Sequence, residues 1–475
     1  MPRSLFVTTA VFSLLAGCAS VPDLGLSPVA ITPDALESRT SLAGTQAGWP
    51  TEGWWQSFGD AQLDTLIVEG LAGSPDVAVA AARVRAAEAL AQQAGAALLP
   101  RVGAEASAGG VQQSRNMGIP PQFVPEGIQD TGHIAGTFGF DLDLWGRNRA
   151  SLAAATSEAE AARVDEAQAR LMLTTGIAAA YADLAGYYHA LDIANEAVRV
   201  RTASADLSGE RASAGIENQA SQRQAESRAA SAKADVVALE EAIATTRNRI
   251  AALVGAGPDR GLSIARPQMA RPSLGLPDNA GIDLIGRRPD ILAARLRSEA
   301  AAKRIDVARA DFYPNISLSA LVGLQSLGLS NLFKSGSEYG NGGAAISLPI
   351  FEGGRLQGRY RRARADYDAA IATYDRTLVG ALRDVADLVA SRAATARQLA
   401  ERREALAAAA EASKLAGLRY RAGLANQIVQ LTAEDSMVVL DRAVADLEVR
   451  QLSLDIALIR ALGGGYRASN PTGDE

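Results

Sequence analysis

One thiol, two imidazoles and one close pair of carboxylates are the side chains in this chain of 475 residues whose type and spacing could carry chemistry. Cys18 is the single cysteine, so the chain holds neither a disulfide framework nor a Cys-based zinc site. His133 and His189 have no metal-ligand spacing between them; His133 falls in a segment read as a loop, and His189 in a helical run beside Tyr187 and Tyr188. Asp141 and Asp143 are two apart in an alternating segment. On a strand they would share a face, as a general acid–base pair does, but on a wet face water satisfies the same pair. Gly353-Gly354 lies between a strand-like and a helical segment, and no Lys-Ser/Thr follows to hold a phosphate. The expectation is no catalytic residue, no metal ligand and no enzyme activity.

What precedes Cys18 explains why it stands alone. Arg3, an apolar run from Leu5 to Leu15 and small residues before the cysteine have the form of a secretory signal, too short for a spanning helix. Leu15-Ala16-Gly17-Cys18 is similar to a bacterial lipobox. That similarity implies removal of residues 1–17 and a diacylglyceryl group on the Cys18 thiol, a covalent lipid in a chain with no other cofactor. Ala19, where an Asp would favour the inner membrane, points to the outer one.

Hydrophobic residues make up 48% of the chain but aromatic residues only 5%, a balance that suits long, closely packed helices. Acids outnumber bases 53 to 47, and no basic patch is interleaved with aromatics, so nucleic acid is not an expected partner. Beyond the signal no apolar run reaches the length of a spanning helix. A membrane crossing would therefore be a β-barrel.

The elements are written twice. Ser74-Pro75-Asp76 opens a helical stretch ending at Leu99-Pro100, and Arg288-Pro289-Asp290 opens another ending at Tyr313-Pro314, with 289 − 75 = 214 and 314 − 100 = 214. Each is followed by two alternating segments, which close on Trp145-Gly146-Arg147 in one half and on Phe351 to Arg355 in the other. Pro-free runs follow, 148–212 and 355–422, each about 95–100 Å long if helical. They break at Gly215 and Gly423, which have the look of helix C-caps, and 423 − 215 = 208. Charges such as Arg402, Arg403 and Glu404 mark wet faces. The organisation expected is a signal at 1–17, an N-terminal segment at 18–73, a first repeat at 74–257, a connector at 258–288, a second repeat at 289–465 and a tail at 466–475.

Ile134, Gly136, Phe138, Phe140, Leu142 and Leu144 alternate with Ala135, Thr137, Gly139, Asp141 and Asp143. Ile316 to Leu324 and Ala344 to Ile350 do the same, and Val102 to Ala108 more weakly. A period of two over about ten residues fits an outer-membrane strand, though a soluble half-buried sheet gives the same local pattern. Four strands cannot close a barrel; two chains would give a plugged eight-stranded one, and three chains about twelve strands and a lumen. The arithmetic favours a homotrimer, with loops 110–133 and 325–342 outside the cell and the helices in the periplasm.

The chain resembles the outer-membrane efflux lipoproteins of the TolC type, in the NodT-like branch, along almost the whole mature chain. The residues that carry this are Gly53-Trp54-Trp55-Gln56-Ser57-Phe58-Gly59-Asp60 with Leu63 and Leu66, Arg287 to Ile291, Asp311 to Ile316, and Leu348 to Arg355. The resemblance implies a mixed α and β membrane protein: a trimeric twelve-stranded β-barrel continued by a long periplasmic α-barrel of helical hairpins. It implies a periplasmic adaptor and an inner-membrane pump, commonly RND-type, as partners, and drugs or other small molecules as cargo. It places a periplasmic gate at Tyr420, Ile428 and Thr432 with Ala220, Arg223 and Gln224, and adaptor docking at the hairpin tips Gly215, Gly423, Leu424 and Asn426. Relatives often carry Asp where Thr432 stands; the acid is missing here and Asp435 is off the matching face, so an apolar constriction at Ile428 replaces the charged ring as the expectation. Two alternatives stay open: an exit for type I protein secretion, and a lipid-tethered periplasmic coiled-coil scaffold whose alternating segments form no barrel.

Overall fold

The computed structural model describes residues 21–38, 40–42, 47–116, 118–272, 274–277 and 280–468. The signal and Cys18 lie outside the described residues. Two compact units emerge. One is built from 84–162 and 294–374, with residues 21–30; the other from the described residues of 31–83, 163–293 and 375–468. Each unit takes segments from both repeats, because a repeat that cannot bury its own apolar face finds a partner in its equivalent.

The repeat is nearly exact in length. Helices α1 (Ala61–Gly73) and α2 (Pro75–Ala96) lead into strands β1 (Arg101–Val111) and β2 (Gln129–Asp141), then α3 (Arg147–Ser213) and α4 (Gln219–Leu253). After short helices α5 (Pro258–Leu262) and α6 (Ala280–Arg287) come α7 (Pro289–Ala310), β3 (Asn315–Leu327), β4 (Glu338–Ser347), α8 (Arg355–Arg421) and α9 (Gln427–Ala461). The long helices α3 and α8 have 67 residues each, and their return helices α4 and α9 have 35 each. No single helix among the described residues is long and apolar enough to cross a membrane. The pair α1 and α2 comes nearest but bends by 41°, and Leu63, Leu66 and Ile67 of α1 are buried in the protein core.

In the first unit the strands form one antiparallel sheet in the order β1-β2-β3-β4. Three expectations change here. The strands run further than the alternation suggested, leaving shorter loops at 112–128 and 328–337, so His133 stands in β2 and not in a loop. Its neighbours Gly132, Thr131 and Asp130 hide the alternation at that end. Leu142, Leu144, Leu348 and Ile350 fall beyond the strand ends. Asp143 does not share a strand face with Asp141: its φ is 44°, and its carboxylate accepts from the backbone N–H of Asn148 (2.8 Å) and Arg149 (3.1 Å), capping α3. At this end of the sheet Trp145 stacks on Tyr313 with centroids 4.8 Å apart and donates to the Pro314 carbonyl at 2.8 Å.

The second unit packs helices around Phe58, Leu63, Ile177, Tyr181, Leu184, Ile250 and Ile456. The Gly53 to Asp60 signature works as a plug for this core. Asp60 caps α1, and its Oδ2 also accepts from the Tyr181 hydroxyl (2.9 Å) and the Gln268 N–H (2.7 Å). Burial, with the Asp60 carboxylate beside it, raises the Tyr181 phenol far above its ordinary value, so it stays a donor. The residues expected as a connector are thus bonded into the core.

The repeat also sets how each hairpin closes. Gly255 ends α4 with φ 79° and Gly463 ends α9 with φ 86°. A Cβ on Gly255 would lie 2.2 Å from the Gly73 carbonyl oxygen, and one on Gly463 would lie 1.9 Å from that of Arg287. The contacted residues are themselves related by the repeat: 287 − 73 = 214. Each hairpin therefore returns to the start of its own half through the same glycine joint.

Candidate functional site

Cross-strand register sorts the sheet into two faces. Val102, Ala104 and Ala106 of β1 sit level with Phe138, Gly136 and Ile134 of β2, which sit level with Ala320, Val322 and Leu324 of β3; Ile346 lies opposite Ile316. This face is apolar along its length, with Asp130, Ser326 and Glu338 at the loop end. The opposite face carries Glu105, Ser107, His133, Thr137, Asp141, Asn315, Ser317, Ser319, Gln325, Tyr339 and Asn341. One face suits lipid and the other water, the division a transmembrane β-wall needs. Among the described residues the outer edges of β1 and β4 have no strand partner.

In the second unit the hairpin turns are copies of one another. Gly215 and Gly423 have φ 70° and 71°. At each, the N–H of the next residue, Ile216 or Leu424, bonds back to Arg211 or Arg419 at 2.9 and 2.8 Å, a Schellman cap. Asn218 and Asn426 then cap the return helices by accepting from Ser221 and Val429 N–H. The C-cap expectation therefore holds. Leu424 is 71% exposed at its tip beside exposed Gly423 and Asn426, and Gly215 is exposed at the twin turn.

Of the expected gate residues, Gln224, Ile428 and Thr432 line one cavity of about 230 Å³. Ala220 and Arg223 are exposed on the first turns of α4, where Arg223 pairs with Glu226 at 2.7 Å. Tyr420 donates to Gln427 at 3.1 Å. Ile428 is half-buried, and the Thr432 hydroxyl is occupied by the Ile428 carbonyl at 2.8 Å. The same cavity holds what the sequence did not reveal: Arg201 of α3 bonds Asp435 of α9 at 2.7 Å. Outside the cavity lining, Arg199 reaches Glu434 at 3.7 Å. Asp435 is turned towards α3, so the acid that stands off the expected face has a fixed cation instead. Among the described residues no group of three or more His, Cys, Asp or Glu is placed to hold a metal ion.

Comparison with known proteins bears on both sites. The family described as outer membrane efflux protein matches residues 66–256 and 283–464, one match in each repeat. The fusaric acid resistance protein FusA of Burkholderia cepacia is 38% identical over 75% of this chain and 68% of its own length. The multidrug resistance outer membrane protein MdtP of Escherichia coli K12 is 30% identical over 96% and 95%. Among solved structures, the outer membrane protein VceC of Vibrio cholerae is 42% identical, with a TM-score of 0.81 over 88% of this chain and all of that one. The outer-membrane channel OprN is 28% identical, with a TM-score of 0.82 over 94% and 99%. The coiled-coil scaffold is thereby set aside, and the expected TolC-like fold of strands plus long helical hairpins is the one found. The chain belongs to the outer membrane efflux protein family, and it is an outer-membrane channel that serves efflux pumps as their exit duct.

Proposed function

We propose that three copies close one barrel of twelve strands, with the helical hairpins on the periplasmic side, and that the duct passes drugs and similar small molecules. The molecules are delivered by a periplasmic adaptor and an inner-membrane RND-type pump. The observation that carries this is the two-faced sheet with open edges. An unpaired edge of ten residues or more invites another strand, and four strands cannot close on themselves. Pairing β4 of one copy with β1 of the next removes every edge and sets all polar faces towards one lumen. The duct changes no bond, so the energy for transport comes from the pump. The resistance functions in the names of FusA and MdtP support small organic cargo.

The hairpin turns are the proposed docking surface, with Leu424 as an exposed apolar anchor beside Gly423 and Asn426, and Gly215 at the twin turn. Photo-crosslinking in cells from a reactive residue at position 424 tests the assembly. The expected captures are a periplasmic adaptor and an RND-type pump; an ABC-type secretion apparatus would replace drug efflux with protein secretion.

The gate is proposed at the cavity end of the hairpins, where Ile428 narrows the path and Arg201–Asp435 holds α3 to α9. Thr432, Gln224, Ala220, Arg223 and Tyr420 complete the constriction. Ile428→Ser is expected to raise single-channel conductance and antibiotic leakage severalfold by wetting the constriction. Unchanged conductance would reduce Ile428 to a packing residue. Lipidation at Cys18 is a further part of the proposal: Cys18→Ser should lose the acyl mass and palmitate labelling while keeping the channel fold, and retained labelling would move the anchor elsewhere.

A further inference from the structure

We propose that Glu105, His133 and Tyr339 form a cation site in the wall of the lumen, one per chain, that takes a divalent first-row transition-metal ion such as Zn²⁺. The proposal rests on the reading that the polar face of the sheet lines the conducting lumen.

The site is built by one row of residues across all four strands. Register aligns Glu105 with Ala135, Ala135 with Gly323, and Gly323 with Tyr339. The two central residues are small, and a Cβ on Gly323 would lie 2.2 Å from the Ile134 carbonyl oxygen. The long side chains at the ends can therefore fold inward over this floor. They do so, since Ala135 is only 2% exposed although it stands on the wet face. His133, one row nearer the loops and level with Gln325, meets them. Its Nε2 is hydrogen-bonded to the Tyr339 hydroxyl and lies 3.6 Å from Oε1 of Glu105. The His133 and Tyr339 rings are 5.6 Å apart at 51°.

Charge then selects the ligand. The polar face of the four strands carries one basic residue, Arg101, which already sits 3.4 Å from Asp141. Among the described residues Glu105 has no Lys or Arg within ion-pair reach, and its side chain is 56% exposed to the lumen. An imidazole nitrogen, a carboxylate and a phenol are donors for borderline divalent ions, not for Mg²⁺ or Ca²⁺, which take oxygen alone. Two ligands about 2.0–2.1 Å from a tetrahedral ion stand about 3.3 Å apart, so the 3.6 Å separation needs only a small adjustment. Tyr339 then releases Nε2 and either coordinates as the phenolate, its proton passing to water, or donates to Glu105, and water fills the remaining positions.

The test uses the purified full-length trimer and zinc chloride as the probe, read in two ways. Metal analysis after equilibration at neutral pH should find about three zinc ions per trimer. It should find close to none in H133A, and E105Q should weaken binding by at least the ~10–100-fold lost when only an outer-shell partner is removed. Planar-bilayer recordings should show a reversible fall in conductance on adding Zn²⁺, absent in H133A. If the wild-type trimer binds no zinc, or H133A binds as much, the site is refuted and the three residues are a clasp between strands. Zinc bound with current unchanged would leave the site standing but overturn its place in the conducting path. If H133A does not assemble, E105Q decides, because its side chain is largely exposed.

Discussion

Replacing Asp455 with alanine should destabilise the folded chain by about 3–5 kcal/mol and leave little of it to assemble. Asp455 of α9 is 0% exposed. Its Oδ2 accepts from Nε of Arg271 at 3.0 Å and its Oδ1 from Nε of Arg392 at 2.8 Å. Arg271 also bonds the Gln451 side chain, and Arg392 donates to the Leu274 carbonyl at 2.9 Å. One carboxylate thus ties the connector, α8 and α9 together. Taking it away leaves two guanidinium groups facing each other without a counter-ion. Arg271 is half-exposed and recovers some hydration, which favours the lower end of the range. Asp455→Asn keeps the shape and one acceptor, so its loss should be smaller. Chemical denaturation of the detergent-solubilised protein, with the yield in outer-membrane fractions, measures both. An alanine variant within ~1 kcal/mol of wild type would show that the two arginines find other partners.

Gly463→Ala should have an effect of similar size for a different reason. The backbone at φ 86° disfavours an L side chain by about 1–2 kcal/mol, and the overlap with the Arg287 carbonyl adds about 1–3 kcal/mol. Gly255→Ala, its twin in the first repeat, should behave alike. Gly464→Ala is the internal control. Its Cβ would meet the Cδ1 atom of Leu171 at 2.1 Å, a side-chain end that can turn aside, so the loss should be the smaller one. Thermal melting of the three variants gives the order directly. If Gly464→Ala melted lower than Gly463→Ala, backbone contact would not be what makes the joint sensitive.

The parts of this molecule that were legible in its sequence are those written in short-range periods. The two repeats, the Pro-initiated helices, the Gly215 and Gly423 caps and most of the sheet follow from spacing, because helix and strand periods leave marks within a few residues. What was not legible depends on distant partners. Asp455 carries no local mark that sets it apart from charges on wet helical faces, Asp435 reads only as an acid off the gate face, and nothing local says that Arg271, Arg392 and Arg201 come to meet them. Asp60 read as part of a signature with no role, because its acceptors serve Tyr181 and Gln268, far along the chain. His133 was lost to a loop because Gly, Thr and Asp beside it blur the strand period. Its signal would have been the matched lengths of the paired strands, which only the register supplies.

The open edges of the sheet also bear on how the channel comes into being. β1 carries Gly103, Gly109 and Gly110, and β4 carries Gly340, Gly342 and Gly343. Glycine has poor strand propensity, so the open edge of a lone chain invites a neighbouring strand but holds a single one weakly. In the proposed trimer one such pairing recovers little of the ordering entropy it costs, whereas the third closes the ring and secures all three at once. Biogenesis should therefore be all-or-none, with half-built rings falling apart instead of accumulating. The same glycines that weaken each seam protect the newly exported chain from sticking to the wrong partner on its way to the membrane.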